Sequence, residues 1–308
     1  MRRLLIRPGG IGDCLLCMPA MQRLNAVKRA AYTEVWCPTP VVPLMAWADH
    51  AEAIIRTGLD SVGIPCLAPP ASVVERLRGF DQIVSWYGTN RHSFQEAVYR
   101  LGLPFEFRPA LPTGQDRHAV DFFLGEASGE YPRLDFVGGR PPEVEPWLAA
   151  ADGLRATGSG AGETGSAYPR RDAPQLAREP RMVIHPFSGS PPKNWPLDRF
   201  RAAAGRLPLA VNWSAGPEEY LTGATRFAGL DELARHIASA ALYIGNDSGI
   251  THLAAATGTP VIVLFGGASN PRVWAPRGDH VRVIAAESLE AIFVDTVVEE
   301  AHRLLARP

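Results

Sequence analysis

The sequence has little of several features that would point to particular functions. No stretch reaches the roughly 18 consecutive apolar residues of a membrane-spanning helix. The short apolar run after Met1 predicts a first strand and not a signal segment. The formal net charge is −1 and is spread evenly over both halves, so no basic surface for nucleic acid is indicated. A hydrophobic fraction of 46% is typical of globular domains.

Cysteine and lysine are also scarce. The four cysteines, Cys14, Cys17, Cys37 and Cys66, lie in the first quarter of the chain, which favours reduced thiols over a disulfide framework. The spacing from Cys14 to Cys17 fits a redox pair or half of a zinc site, but no second pair completes such a site. Two apolar residues on a buried helix explain the spacing as well. Only Lys28 and Lys193 are lysines among 31 basic residues, so a lysine beside a loop is a candidate for a specific role.

The length of 308 residues predicts two domains. Residues 151–180 are rich in Gly, Ser and Ala and have the composition of a linker. We therefore predict an N-terminal domain at 1–150, a flexible linker at 151–180 and a C-terminal domain at 181–308. Strands and helices alternate on both sides of the linker, which predicts two Rossmann-like, doubly wound parallel sheets facing a central cleft.

Hydrophobic runs and helical spacing locate the elements. Strands are predicted at Arg3–Arg7, Thr33–Cys37, Ala53–Arg56, Gln82–Trp86, Met182–Pro186, Leu209–Trp213, Pro260–Phe265 and Val281–Ile284. Helices are predicted, among others, at Asp13–Lys28, Pro141–Ala150, Pro217–Leu221, Ile250–Thr257 and Leu289–Leu305.

A polar, glycine-rich loop near the end of the chain is the strongest functional signal. It runs from Gly245 to Gly249 and joins a buried strand to a helix of small residues. Free N–H groups and the dipole at a helix start attract anions, so Asp247, Ser248 and Gly249 are candidates for a phosphate site. His252 lies in the first helical turn and is either a ligand contact or a structural histidine.

A second glycine loop follows the first strand. Gly9, Gly10 and Gly12 allow the backbone to approach a ligand closely. Their spacing differs from the G-x-G-x-x-G fingerprint of dinucleotide sites, which disfavours an NAD-dependent oxidoreductase. Asp13 then stands at the start of a helix, where it either caps the helix or faces a ligand as a catalytic carboxylate.

Two more loops in the second half follow predicted strands. The segment from His185 to Pro196 contains Ser188 and Lys193, which suit a diphosphate, although a solvated surface loop is the alternative. Glu218 and Glu219 follow the next strand and could bind ribose hydroxyls. Acidic residues are also common at helix starts for electrostatic reasons alone.

These motifs together resemble glycosyltransferase family 9, the ADP-heptose:lipopolysaccharide heptosyltransferases. R-P-G-G-I-G-D begins at Arg7, H-P-x-S-x(4)-K-x-W-P begins at His185, and G-N-D-S-G-x-x-H-L begins at Gly245. The resemblance implies a GT-B fold and an inverting, metal-independent sugar transfer. The N-terminal domain would hold the acceptor and the C-terminal domain the nucleotide sugar. The chain contains no Asp-x-Asp motif, which agrees with a reaction that needs no metal or other cofactor besides the ADP-sugar substrate.

The resemblance also implies residue roles. Asp13 would be the general base, beside an acceptor-side loop made of Gly9, Gly10 and Gly12. Lys193 would offset the charge on departing ADP, and the diphosphate would also contact Ser188 and the amides of Ser248 and Gly249. Asp247 would hold the sugar's hydroxyls, and His252 would lie near the same ligand. Glu218 or Glu219 would contact the ribose. The backbone around Ala228–Leu230 would face the adenine.

The expected partners are a nucleotide sugar and a glycolipid or glycan acceptor, with no nucleic acid. The resemblance implies a cytoplasmic enzyme that can contact the inner face of the membrane. A transferase with another nucleotide sugar or a protein acceptor remains an alternative, as does a nucleotide-binding module without catalysis. The acceptor, the oligomeric state and the degree of domain closure are left open by the sequence.

Overall fold

A computed structural model describes residues 1–27, 30–114, 116–127 and 178–306. By its internal contacts the chain divides into two compact units, Met1–Asp135 and Phe136–Pro308. The predicted helix Pro141–Ala150 and the predicted linker up to residue 177 lie outside the described residues, so the domain boundaries remain a prediction. Within the described part, the second unit begins its first strand at Glu179.

The first unit contains a parallel sheet of five strands. These are β1 (Arg2–Ile6), β2 (Tyr32–Cys37), β3 (His50–Ala53), β4 (Gln82–Ser85) and β5 (Phe105–Phe107), in the order β3-β2-β1-β4-β5. Its helices are α1 (Ile11–Val27), α2 (Ala71–Arg78), α3 (His92–Arg100) and α4 (Ala119–Ala127). The central strands are buried on both faces, as helices packed against a parallel sheet require.

The second unit repeats this architecture with another strand order. Its strands are β6 (Glu179–His185), β7 (Ala210–Trp213), β8 (Ala240–Asn246), β9 (Val261–Phe265) and β10 (Val281–Ala285), in the order β10-β9-β8-β6-β7. Its helices are α5 (Leu197–Ala204), α6 (Leu230–Ala238), α7 (Gly249–Ala256), α8 (Pro271–Trp274) and α9 (Val294–Leu305). All five residues of β9 are buried, which explains its continuous apolar sequence.

Several element predictions were wrong in detail. The predicted strand Ala53–Arg56 ends at Ala53 and continues as a 3-10 turn, because Ala53 pairs with Cys37 in the sheet while Ile55 is 77% exposed. The structure forms no helix at Pro217–Leu221, where the carboxylate of Glu219 accepts the backbone N–H of Gly216 and closes a turn.

Two further elements differ from the sequence prediction. The last helix begins at Val294, and the preceding Leu289–Ala291 forms a 3-10 turn. The first helix begins at Ile11 and not at Asp13, so that Asp13 lies inside the first turn. None of the described helices has the length and apolarity of a membrane span.

Candidate functional site

Each sheet changes the direction in which strands are added, and ligands of doubly wound sheets bind beyond the carboxyl ends of the strands at that point. In the first unit the change lies between β1 and β4, and in the second unit between β6 and β8. The glycine loop follows β1, the loop of Ser188 and Lys193 follows β6, and the loop of Asp247 follows β8. The three segments chosen from sequence therefore flank these two positions.

In the first unit, Asp13 caps its own helix. Its Oδ2 accepts the backbone N–H of Gly10 at 2.8 Å, which satisfies one of the free donors at the start of α1. Among the residues that the structure describes, none forms a hydrogen bond with Oδ1. Gly9 has a φ of +110°, and a Cβ there would lie 2.8 Å from Oδ2, so only glycine fits. The capping bond thus uses Oδ2 and leaves Oδ1 without a hydrogen-bond partner among the described residues.

The buried side chain of Arg7 contacts the same turn. It is 1% exposed, and its Nε and Nη2 donate to the backbone carbonyl of Asp13 at 3.2 and 3.0 Å. Its Nη1 donates to the carbonyl of Ala110 at 2.9 Å, and its guanidinium lies over the ring of Phe123 on α4. Arg7 therefore fixes the first turn of α1, which carries Asp13, by contacts that the sequence motif does not reveal.

In the second unit, Lys193 and Asp247 form an ion pair. Lys193 Nζ lies 2.6 Å from Asp247 Oδ2, and the Oγ of Ser269, which follows β9, donates to that same oxygen at 2.5 Å. The side chain of Asp247 is 8% exposed and that of Lys193 is 30% exposed. Three loops, which follow β6, β8 and β9, therefore meet at one buried carboxylate.

Asn246 connects the first two of these loops. Its side chain is fully buried; Oδ1 accepts the backbone N–H of Trp195 at 3.0 Å, and Nδ2 donates to the carbonyl of Pro186 at 2.8 Å. These two backbone groups stand at opposite ends of the segment that carries Lys193. One amide thus fixes both ends of that segment against the end of β8.

The start of α7 is capped by a side chain that the sequence analysis considered only as a phosphate ligand. Ser248 is the N-cap, and its Oγ accepts the backbone N–H of Thr251 at 3.3 Å. Thr251 in turn donates to the carbonyl of Asn246 at 2.5 Å. Gly249 is the first helical residue, and His252 is buried in the first turn. The free N–H groups of this turn and the helix dipole are available for an anion.

Ser188 and the two glutamates have different environments. Ser188 Oγ closes its own turn by donating to the carbonyl of Ser190 at 2.8 Å. Glu218 is exposed, whereas Glu219 Oε2 lies 3.4 Å from His185 Nε2. Burial alone would raise the pKa of Glu219, but hydrogen bonds from His185 and Gly216 lower it on balance. Of the two, Glu219 is the ordered carboxylate.

The predicted adenine-facing backbone lies ahead of α6. The Ala228 N–H already donates to Glu232 Oε2 at 2.9 Å, and Leu230 is the first residue of the helix. Of these residues Ala228 is exposed, Gly229 is half-buried and Leu230 is buried.

One group of potential metal ligands occurs among the described residues. Glu34, His50 and Glu52 present ligand atoms within 4.8 Å of one another in the first unit. The guanidinium of Arg76 bridges the two carboxylates, and Trp36 Nε1 donates to Glu34 at 2.6 Å. This arrangement is an ion-pair network whose central position is already taken by a cation.

Sequence reasoning missed the residues that hold the site together. Arg7, His185 and Asn246 lay within the quoted motifs and Ser269 lay beyond the last of them, and none was assigned a role. Their functions depend on partners far away along the chain: Ser269 bonds a residue 22 positions earlier, and Asn246 bonds one 51 positions earlier. The one available signal was the recurrence of polar residues directly after the strand ends.

Comparisons with known proteins give a family-model match over part of the chain. Residues 219–300 match the family model of glycosyltransferase family 9 (heptosyltransferase). That region contains Glu219, Asp247, Ser248, Gly249 and His252. A search of curated protein sequences found no match.

Solved structures with the same fold include two enzymes of Escherichia coli. The heptosyltransferase WaaC with ADP is 17% identical with a TM-score of 0.67, over 99% of this chain and 100% of that one. The ADP-heptose lps heptosyltransferase II is 18% identical with a TM-score of 0.66, over 99% and 98%. A family 9 glycosyl transferase from Veillonella parvula is 18% identical with a TM-score of 0.66, over 99% of this chain and 97% of that one. The predicted fold class, two doubly wound α/β units of GT-B type, is confirmed.

Proposed function

We propose that this chain is a glycosyltransferase of family 9, whose family model matches residues 219–300, and that it moves heptose from ADP-heptose to a lipopolysaccharide core or related glycan acceptor. The observation that carries the proposal is the convergence of Lys193, Asp247 and the start of α7 at the strand-order change of the second unit. A cation, a buried carboxylate and a helix N-terminus suit a diphosphate that is joined to a polyhydroxylated sugar.

The donor would be held by groups of opposite character. The Lys193 ammonium and the N–H groups of Ser248 and Gly249 suit the diphosphate, and the free Oδ1 of Asp247 suits sugar hydroxyls. Glu219 is the better candidate for the ribose, because its carboxylate is ordered by His185 while Glu218 is exposed. The polar loop of Ser188 and the buried His252 complete the predicted donor side.

Transfer would proceed by a single displacement with inversion. An acceptor hydroxyl oxygen attacks the anomeric carbon, the bond from that carbon to the phosphate oxygen breaks, and ADP leaves with the electron pair. Asp13 takes the hydroxyl proton, and such base assistance typically accelerates a reaction roughly 10²–10⁴-fold. Oδ1 of Asp13 suits this task because the capping bond uses Oδ2.

Metal independence belongs to the same proposal. The sequence contains no Asp-x-Asp pair, and Lys193 can offset the negative charge that develops on ADP. We expect the enzyme to act in the cytoplasm, at the inner face of the membrane that bears the acceptor.

The test combines binding and turnover. Calorimetry with ADP, UDP and NAD should give the tightest binding for ADP, and ADP-heptose should be turned over with a heptose-free lipopolysaccharide acceptor. Asp13→Asn keeps a side-chain acceptor for the Gly10 N–H and should retain ADP binding while transfer falls at least about 10²-fold. An Asp13→Asn variant with normal turnover would remove Asp13 from the reaction. Tighter binding of UDP would change the donor class, and ADP binding without turnover would favour a non-catalytic module.

A further inference from the structure

We propose that Ser269 is a positioning residue that holds Asp247 in the orientation in which it binds the donor's sugar. The inference rests on the proposed function, because it concerns the sugar part of a nucleotide-sugar donor. Ser269 lies in the loop after β9, a segment to which the sequence motifs assigned no ligand contact.

The geometry assigns the two oxygens of Asp247 different tasks. Oδ2 accepts from both Ser269 Oγ, at 2.5 Å, and Lys193 Nζ, at 2.6 Å. Within the described part of the chain, Oδ1 has no hydrogen-bond partner. Two donors that converge on Oδ2 determine the plane of the carboxylate and leave Oδ1 available for a hydroxyl donor.

Ser269 is presented by a loop with restricted freedom. The Gly267 N–H donates to the Glu287 carbonyl at 3.0 Å, and a Cβ at Gly267 would lie 2.5 Å from that oxygen. On the other side, Asn270 caps α8 by accepting the Arg272 N–H. The hydroxyl is therefore delivered from a segment that is anchored at both ends.

Donor binding makes the contact more important. A diphosphate competes with Asp247 for the Lys193 ammonium, since both are anions and the cation is shared. As the cation turns towards phosphate, the Ser269 hydroxyl is the donor that remains on Oδ2. In this state the Ser269 hydroxyl keeps the plane of the carboxylate fixed, so that Oδ1 stays available for a sugar hydroxyl.

The test measures how much the sugar adds to binding. The affinities of ADP and of ADP-heptose are determined by calorimetry for the native protein, Ser269→Ala and Ser269→Thr. We expect Ser269→Ala to reduce the advantage of ADP-heptose over ADP about tenfold, as fits the loss of one hydrogen bond to a charged group. The affinity for ADP itself should change less than about threefold, and Ser269→Thr, which keeps a hydroxyl, should restore most of the advantage.

Ser239→Ala is the matched control. Ser239 Oγ donates to the carbonyl of His236 at 3.0 Å in the same unit, at the end of α6. This variant should leave the ratio of the two affinities unchanged. In Ser269→Ala, an equal loss of affinity for ADP and ADP-heptose would leave the ratio of the two affinities unchanged. That result would indicate a merely structural role and overturn the inference. If the native protein binds ADP-heptose no more tightly than ADP, the proposed function is refuted, and the inference with it.

Discussion

Neutralising Lys193 should lower the free energy of unfolding more than neutralising Asp247, its partner in the ion pair. Lys193→Met leaves a carboxylate that is 8% exposed with Ser269 as its hydrogen-bond donor, whereas Asp247→Asn leaves an ammonium that is 30% exposed and reaches water. Removing one partner of a fully buried pair costs about 3–5 kcal/mol. The Ser269 bond and partial exposure lower this to about 2–3 kcal/mol for Lys193→Met. Asp247→Asn should cost about 1 kcal/mol or less, as for exposed pairs.

Thermal unfolding measures the difference. One kcal/mol shifts the Tm of a unit of this size by about 2–4 °C, so a difference of about 1–2 kcal/mol should make Lys193→Met melt about 2–8 °C below Asp247→Asn. The exposed pair Asp231–Arg235, at 3.0 Å and with 36% and 44% exposure, is the matched control. Neutralising either member of this pair should lower the free energy of unfolding by about the same small amount. Equal losses for Lys193→Met and Asp247→Asn, or a larger loss for Asp247→Asn, would refute the reasoning about buried charge.

Two further predictions concern the first unit. Gly9→Ala should reduce turnover more than about tenfold, because a Cβ would meet Asp13 Oδ2 at 2.8 Å. Gly102→Ala also substitutes a glycine with positive φ but has nothing within 4 Å of the added Cβ, so it should keep full turnover. Equal turnover in the two variants would contradict a steric role for Gly9. Native protein at pH 8 should show one fast-reacting thiol, the exposed Cys66. Burial raises the pKa to about 12 at the other three, Cys14, Cys17 and Cys37. Titration with a chromogenic disulfide should find four thiols only after unfolding. A second fast-reacting thiol in the native protein would show that one of these three cysteines is not buried.

What the sequence could predict is local. The alternation of strands and helices, the glycines after β1 and the polar start of α7 are patterns within a few residues, and each forms in the structure. Lys193 was recognisable because lysine is rare in this chain, so its position was informative in itself.

What the sequence could not predict depends on the tertiary fold. Glu218 and Glu219 are equivalent in sequence, and only the turn closed through Gly216 shows that Glu219 is the ordered carboxylate. Serine in a loop has many local uses, so Ser269 became informative only when the sheet brought it to Asp247. The domain boundary lies outside the described residues, and the predicted site roles await the experiments above.

The two sheets also correspond to each other in a way that has a practical use. When β1 is matched with β6, the strands β2, β4 and β5 correspond to β7, β8 and β9, and each sheet retains one unmatched edge strand. By this correspondence Asp13 and Lys193 follow equivalent strands, yet one side chain is an anion and the other a cation. Aligning the halves of the chain with one another, strand by strand, thus offers an internal reference frame. Residues that follow corresponding strands and carry opposite charges are the first candidates for groups that bind the two proposed substrates.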